Sequence, residues 1–289
     1  MSLHIIEPGP LALVQDLGRP GHLRDGVGVS GAMDRGALAL GNRLLGNPAS
    51  AAGLELLLGG ARLRFAAPTW FALTGAWLAA DLDGMRVEPH TATHAAAGAE
   101  LRLGLATHGA RGYLAVRGGI AAHPVLGSRS RDTLAALGPK PLTAGDQLPL
   151  GPEPALPIPA VDFVPVDPPS TGARTIALRP GPRQSWFTAA AWHALLAEEW
   201  VVSARADRTG IRLDGPALTR VDDRELPSEG MLPGAIQVSP DGAPTILGPD
   251  HPATGGYPVI AVVTEADLDT LAQLRPGQAV RFTLAAGAA

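Results

Sequence analysis

Two segments decide how this chain is read: Leu142-Thr-Ala-Gly145-Asp-Gln-Leu148-Pro-Leu150 and Leu274-Arg-Pro-Gly277-Gln-Ala-Val280-Arg-Phe282. Each places a turn glycine after a leucine and follows it with apolar residues at alternate positions, the period of a half-buried strand. A second pair of matches lies upstream, Gly112-Tyr113-Leu-Ala-Val116 and Gly256-Tyr257-Pro-Val-Ile-Ala-Val262. Strand patterns recurring in both halves predict two similar β modules produced by internal duplication; chance similarity of strand endings is the alternative. Between the halves, residues 151–173 read GPEPALPIPAVDFVPVDPPSTGA, with seven prolines in 23 residues. Proline fixes φ and removes a backbone donor, so this stretch is expected to be an extended, unpaired linker. The expected organisation is a first module over 1–150, a linker over 151–173 and a second module over 174–289.

The rest of the chain fits that frame. Its 289 residues contain 36 glycines and 28 prolines, scattered between short apolar runs, which favours many turns and strands over long helices. Strands are expected at 3–7, 54–58, 63–66, 70–74, 101–106, 113–116, 175–179, 201–203, 211–213, 236–238, 245–247 and 259–264. Four short helices are expected, at 35–45 (capped by Asp34 and stopped by Gly46-Asn47-Pro48), 130–137, 185–199 and 265–274. The fold class is therefore mainly β with a few short helices.

Composition excludes several chemistries. Of 23 basic residues only Lys140 is a lysine, set in Gly138-Pro139-Lys140-Pro141, so the chain has no Walker-type phosphate loop and no plausible carrier lysine for biotin or lipoate. There is no cysteine, which removes disulfides, thiolate nucleophiles and Cys-based zinc sites. A net charge of −4 argues against nucleic acid as a partner. The longest uncharged apolar stretch, 65–80, is interrupted by Pro68 and Gly75 and is too short to span a bilayer. No signal peptide is visible at the N-terminus. A cytoplasmic protein, with neither membrane nor metal, is the expectation.

Three motif matches lack the context that would give them meaning. Gly26-Val-Gly28-Val-Ser-Gly31 follows no apolar strand, so it reads as a glycine-rich loop rather than a dinucleotide fingerprint. Ser30 sits one residue short of a nucleophile elbow. His90 and His94 are four apart, but in a strand or loop setting with no third ligand nearby. More informative are loops that gather acid, arginine and glycine in a chain of low charge. These are Gln15-Asp16-Leu-Gly18-Arg19, Ser30-Gly-Ala-Met33-Asp34, Arg205-Ala-Asp207-Arg208-Thr-Gly210, Ser228-Glu229-Gly230 and Asp250-His-Pro-Ala-Thr254-Gly255-Gly256-Tyr257-Pro258. Loops on a β scaffold commonly carry sites. Arginine offers a fork for carboxylate or phosphate, and glycine lets backbone amides approach an oxyanion. The structural alternative is that Asp–Arg pairs staple turns and the glycines make them.

In order along the chain, several motifs resemble the allophanate hydrolase subunit 2 family, which also comprises carboxyltransferase-like proteins and the C-type subunits of 5-oxoprolinase. They are Gln15-Asp16-Leu-Gly18-Arg19-Pro-Gly21, Ser30-Gly-Ala-Met33-Asp34, Gly41-Asn42, Leu54-Glu55, Arg117-Gly-Gly119, Leu126-Gly-Ser-Arg129-Ser, Gly145-Asp146, Ser228-Glu229-Gly, Gly234-Ala-Ile-Gln237-Val, Asp241-Gly and Thr254-Gly-Gly-Tyr-Pro258. The resemblance implies two cyclophilin-like β-barrels. It also implies a hetero-oligomer with a subunit-B-like partner, a separate A-type subunit, and ATP-dependent opening of 5-oxoproline to glutamate. Two other roles occur in the family: the carboxyltransferase component of a biotin-dependent urea carboxylase, and a non-catalytic regulator that binds a kinase-inhibitor-like protein. ATP is the implied cofactor, with contacts shared among the chains of the complex; biotin would arrive on a separate carrier chain. The substrate would be a small amide. Carried onto this sequence, the catalytic candidates are Asp16, Arg19, Asp207, Arg208 and Asp250. The substrate-binding candidates are Gln15, Ser30, Asp34, Arg117, Gly118, Gly119, Glu229, Gln237, Thr254, Gly255, Gly256 and Tyr257. Arg19 or Arg208 would be the cationic fork, the paired glycines the amide donors, and Asp16, Asp207 or Asp250 the base. The family's Ser-Asp-Arg-Met-Gly run is Ala206-Asp207-Arg208-Thr209-Gly210 here, and its Gln-Thr before Thr254 is Pro252-Ala253.

Overall fold

The computed structural model describes residues 1–161, 164–221 and 224–287. The chain forms two compact units. The first comprises Met1–Arg19, Ser30–Asp132 and Ala136–Pro169; the second comprises Pro20–Val29, Thr133–Ala135 and Ser170–Ala289.

In the first unit, strands β1 (Ser2–Glu7), β2 (Leu11–Gln15), β3 (Gly53–Leu57), β4 (Arg62–Phe65), β5 (Thr69–Leu82), β6 (Met85–Arg86), β7 (Thr93–Ala95), β8 (Glu100–Val116) and β9 (Gln147–Pro149) build one nine-stranded sheet. Its main path runs β2-β3-β8-β4-β1-β9, with β5 also on β8 and β6 and β7 on β5. Alternation sorts the faces: in β1, Leu3 and Ile5 are buried while His4 and Ile6 are not. The curl brings Leu3, Ile5, Leu54, Leu63, Phe65, Phe71, Leu101 and Leu114 into one core, where Phe65 and Phe71 stack with centroids 5.1 Å apart. Helix α1 (Arg35–Leu44) begins at Asp34, whose carboxylate accepts from the Ala37 amide at 2.8 Å, as the capping pattern predicts. Its buried Leu38 packs with Tyr113, and the Thr74 hydroxyl donates to the Ala37 carbonyl at 2.7 Å.

In the second unit, β10 (Arg174–Pro180), β11 (Trp200–Val202), β12 (Gly210–Asp214), β14 (Ala235–Val238), β15 (Pro244–Leu247), β17 (Val259–Val263) and β18 (Ala279–Leu284) close a barrel. The order is β10-β17-β14-β15-β12-β11-β18, and a parallel β10–β18 pair completes the ring. Closure leaves these strands without an open edge. Strands β13 (Glu229–Gly230) and β16 (Thr254–Gly255) form a separate two-stranded ribbon. Trp200 is fully buried, and its indole donates to the carbonyl of Leu195 in α2 (Ala189–Ala197) at 3.2 Å. The third helix, α3 (Leu268–Ala272), is short.

The mainly-β expectation holds, and both segments quoted at the outset end in strands, β9 and β18. Three local expectations need correction. Residues 130–137 form turns and irregular backbone rather than a helix, because the Arg131 amide donates to the Val14 carbonyl, the Asp132 amide to that of Leu137, and Ala136 takes a left-handed φ of 57°. The expected strands at 101–106 and 113–116 are one strand, β8, which bends through register shifts against β5. Helical structure at 185–199 is a 3-10 turn at Gln184–Trp186, then α2, which stops before Glu198. Among the described residues no helix is long and apolar enough to cross a membrane.

Candidate functional site

Four candidates in the first unit converge on one loop, residues 125–132. Asp16 follows directly on β2. Its Oδ1 accepts from the Gly18 amide (2.8 Å), Ser128 Oγ (2.6 Å) and Ser130 Oγ (2.5 Å), and its Oδ2 from the Arg129 amide (2.6 Å). Gln15 Nε2 donates to the Arg131 carbonyl at 2.8 Å, and Ser30 Oγ donates to the same carbonyl at 3.3 Å. Arg19 is buried; its Nη2 donates to the Ser130 carbonyl, and its Nη1 stands 3.9 Å from Asp132 Oδ2. A carboxylate holding four donors is an anchor for the loop, so these side chains make a buried polar knot.

Asp34 joins a second buried network. Its amide donates to Tyr113 Oη at 2.8 Å, and that hydroxyl donates to Glu55 Oε2 at 2.7 Å. Glu55 Oε2 also accepts from the Met33 amide at 2.9 Å, while Arg111 Nε lies 3.4 Å from Oε1. Burial, then the nearby Glu55 and Asp34 carboxylates, hold the Tyr113 phenol well above its usual range, so it stays protonated and donating. Glu55 was not among the expected site residues; its signal was a lone acid in an apolar strand, Leu54-Glu55-Leu56-Leu57.

Arg117 and the glycines after it lie elsewhere in this unit. Arg117 Nη1 donates to the Leu45 carbonyl (2.7 Å) and Nη2 to those of Pro154 (3.0 Å) and Leu156 (2.6 Å), holding the start of the proline-rich segment. The Gly118 amide donates to Asn47 Oδ1 at 2.9 Å and the Gly119 amide to the Val116 carbonyl at 2.8 Å.

In the second unit, Arg208 and Asp250 form a buried bidentate pair, Nε to Oδ2 at 2.8 Å and Nη2 to Oδ1 at 2.9 Å. Asp250 Oδ2 also accepts the Thr133 amide (2.9 Å) and hydroxyl (2.8 Å). The fork of Arg208 is therefore filled by Asp250. Glu229 is ion-paired with Arg183, and Glu229 and Gly255 face each other across the β13–β16 ribbon, where Thr254 pairs with Gly230.

Asp207, Gln237 and Tyr257 share a cavity of about 500 Å³ with Arg205, Thr209, Gly210, Arg212, Ser239, Thr245, Leu247 and Pro252. That volume lies within the roughly 300–1,000 Å³ usual for small-ligand sites. Strand register explains its floor. Ile211, Ile246 and Ile236 pair across β12, β15 and β14 and are buried in the barrel, so the next row, Arg212–Thr245–Gln237, faces outward. Asp207 enters from the preceding loop, where its Oδ1 accepts the Thr209 (2.8 Å) and Gly210 (3.0 Å) amides. Gln237 Nε2 donates to the Tyr257 carbonyl at 3.2 Å and approaches Met231 Sδ at 3.2 Å. Gly255 admits this amide: a Cβ there would stand 2.5 Å from Gln237 Nε2. Arg205 and Arg212 were not among the expected site residues. Arg205 stood in the quoted polar loop, but Arg212 reads only as an outward position of a strand. Gly256 adjoins this region in sequence and is absent from the lining.

Two cationic forks, one carboxylate, one amide and one phenol around a cavity suit a small polar ligand with an anionic group. Residues 25–284 match the model of the carboxyltransferase domain, subdomain A and B. The chain belongs to this carboxyltransferase family. It is 41% identical over 283 residues to the C-type subunit of 5-oxoprolinase from Escherichia coli, covering 97% of this chain and 90% of that protein. The corresponding C-type 5-oxoprolinase subunit from Haemophilus influenzae is 36% identical over 290 residues, with the same coverage of each chain. The crystal structure of K. lactis urea amidolyase superposes with a TM-score of 0.90 at 31% identity, over 98% of this chain and 18% of that one. The carboxyltransferase fold thus occurs both as a separate chain and as a small part of a larger one. Among the described residues of this family member, no group of three or more His, Asp or Glu is placed to hold a metal ion.

Proposed function

We propose that this chain is the C-type subunit of an ATP-dependent 5-oxoprolinase, acting with a subunit-B-like partner and an A-type subunit, and that the outer-face cavity of the second unit receives the substrate. The observation that carries this reading is reciprocal coverage. The C-type 5-oxoprolinase subunits match over nearly their whole length, whereas urea amidolyase is matched over less than a fifth.

Opening a lactam requires water to add to an unreactive amide carbonyl and the ring nitrogen to leave with a proton. In the cavity, Asp207 has one carboxylate oxygen committed to loop amides and the other available to orient water. Tyr257 walls one side. Asp16 and the Arg208–Asp250 pair support the loops rather than touch substrate. ATP supplies the activation of the amide when bound, and among the described residues neither the start of α1 or α2 nor the lone lysine offers its phosphates a site. The N-termini of α1 and α2 are taken by the Asp34 carboxylate and the Thr188 hydroxyl, and Lys140 lies exposed between prolines. Nucleotide contacts are then shared with the partner chains.

The test is reconstitution. This chain mixed with its A-type and B-type partners should release phosphate and glutamate only when 5-oxoproline and ATP are both present. The family model and the urea amidolyase superposition favour a second reading, carboxyl transfer from a biotin carrier to an amide. Biotin-dependent carboxylation of urea, without 5-oxoproline turnover, would select it.

A further inference from the structure

Arg212, Thr245 and Gln237 stand side by side on β12, β15 and β14. Adjacent strands lie ~4.8 Å apart, so Arg212 and Gln237 flank Thr245 with Cα atoms roughly 9.6 Å from each other. The short, half-buried Thr245 forms the floor, and the two longer side chains rise on either side of it.

Each flanking residue has a defined vacancy. The Tyr257 carbonyl can only accept, so the Gln237 amide must turn its NH₂ toward it; this fixes the carbonyl Oε1 as the unsatisfied end. Oε1 has no donor among the described residues and is not sealed from solvent. Arg212 is exposed, and its guanidinium makes no ion pair or hydrogen bond among the described residues. Arg205, by contrast, interacts with Asp241, whose carboxyl is held low first by Ser239 and then by neighbours that include Arg205. Arg212 is thus a cation of this site with no carboxylate paired to it among the described residues, and Asp207, a carboxylate, stands on the same cavity wall.

We infer that Arg212 binds a substrate carboxylate while Gln237 Oε1 accepts the N–H of the same small molecule across Thr245, which makes the ligand a cyclic amide whose carboxylate lies next to its N–H. The inference rests on the reading of this cavity as the substrate site. It selects 5-oxoproline over urea, which has N–H donors and no carboxylate to neutralise Arg212.

Calorimetric titration of the assembled complex tests it, with 5-oxoproline, the neutral lactam 2-pyrrolidone and N-methyl-5-oxoproline as probes. Loss of a charge-assisted fork should weaken 5-oxoproline binding by about 10- to 100-fold in Arg212→Gln. Binding of 2-pyrrolidone should be weak and equal in wild type and variant, and Gln237→Met should erase discrimination against the N-methyl compound. Arg212 is on the barrel exterior, so an unchanged thermal midpoint verifies folding. Equal affinity of wild type and Arg212→Gln for 5-oxoproline would overturn the inference, as would equal affinity of wild type for the charged and neutral lactams or no 5-oxoproline binding at all. Arg212-dependent binding without any turnover would leave the inference standing and sink the 5-oxoprolinase reading instead.

Discussion

Replacing Asp250 with alanine separates a structural role from a catalytic one at the Arg208–Asp250 pair. Arg208 and Asp250 are 3% and 1% exposed, and two parallel hydrogen bonds of 2.8 and 2.9 Å join them. Removing one partner of a buried, hydrogen-bonded ion pair is strongly destabilising, by about 3–5 kcal/mol. The change also strips the acceptor from the Thr133 amide and hydroxyl, which keeps the cost at the upper end of that range. At roughly 2–8 °C per kcal/mol for units of this size, the midpoint of the second unit should fall by at least ~6 °C. Thermal and urea unfolding followed by circular dichroism measure it, together with Arg208→Met and the double variant. The double variant should lose clearly less than the sum of the singles, because either single already breaks the interaction the two side chains share. Asp250→Ala with wild-type stability and abolished turnover would refute the reasoning and return Asp250 to the role of base.

Three further outcomes follow from the same geometry. Tyr113→Phe removes the bridge between the Asp34 amide and Glu55, costing about 1–3 kcal/mol. Because the folded phenol titrates above the unfolded one, wild-type stability should fall as pH rises past ~10, and the variant should lose that slope in alkaline denaturation. The Glu100 carboxyl, hydrogen-bonded by Arg102 and Arg62, is lowered to about 2. Its stabilisation should be complete above about pH 4.5 and be lost progressively as pH falls from there to about 2, and an NMR titration with a midpoint near 4.5 would contradict this. Gly255→Ala should push the Gln237 amide aside, raising KM for substrate with little change in thermal midpoint, since the contact is with the end of a flexible side chain.

Periodicity and turn chemistry made much of the fold legible. The alternating stretches after Gly145 and Gly277 are strands, and Asp34 caps a helix that ends within one residue of its expected stop. Strand β2 was missed because Leu-Ala-Leu-Val-Gln does not alternate; its last four residues are all buried, so both faces are covered. The glycines at 109 and 112 look like a break between two strands, yet within β8 they accompany a bend against the bulged β5. At the site, residue types were legible and partners were not. Arg208 looks like an open fork until the fold brings Asp250, 42 positions away, into it. Arg212 looks like ordinary strand polarity until register sets it beside Thr245 and Gln237. Pairing across a barrel depends on topology, which local pattern does not encode.

The measurement closest to the central claim is substrate-dependent phosphate release by the reconstituted complex, with and without this chain. The account predicts that 5-oxoproline and ATP together yield glutamate and phosphate only when every partner is present, and that Asp207→Ala lowers that rate without dissociating the complex. Full turnover in the absence of this chain would contradict it, as would biotin-dependent carboxylation of urea with no release on 5-oxoproline.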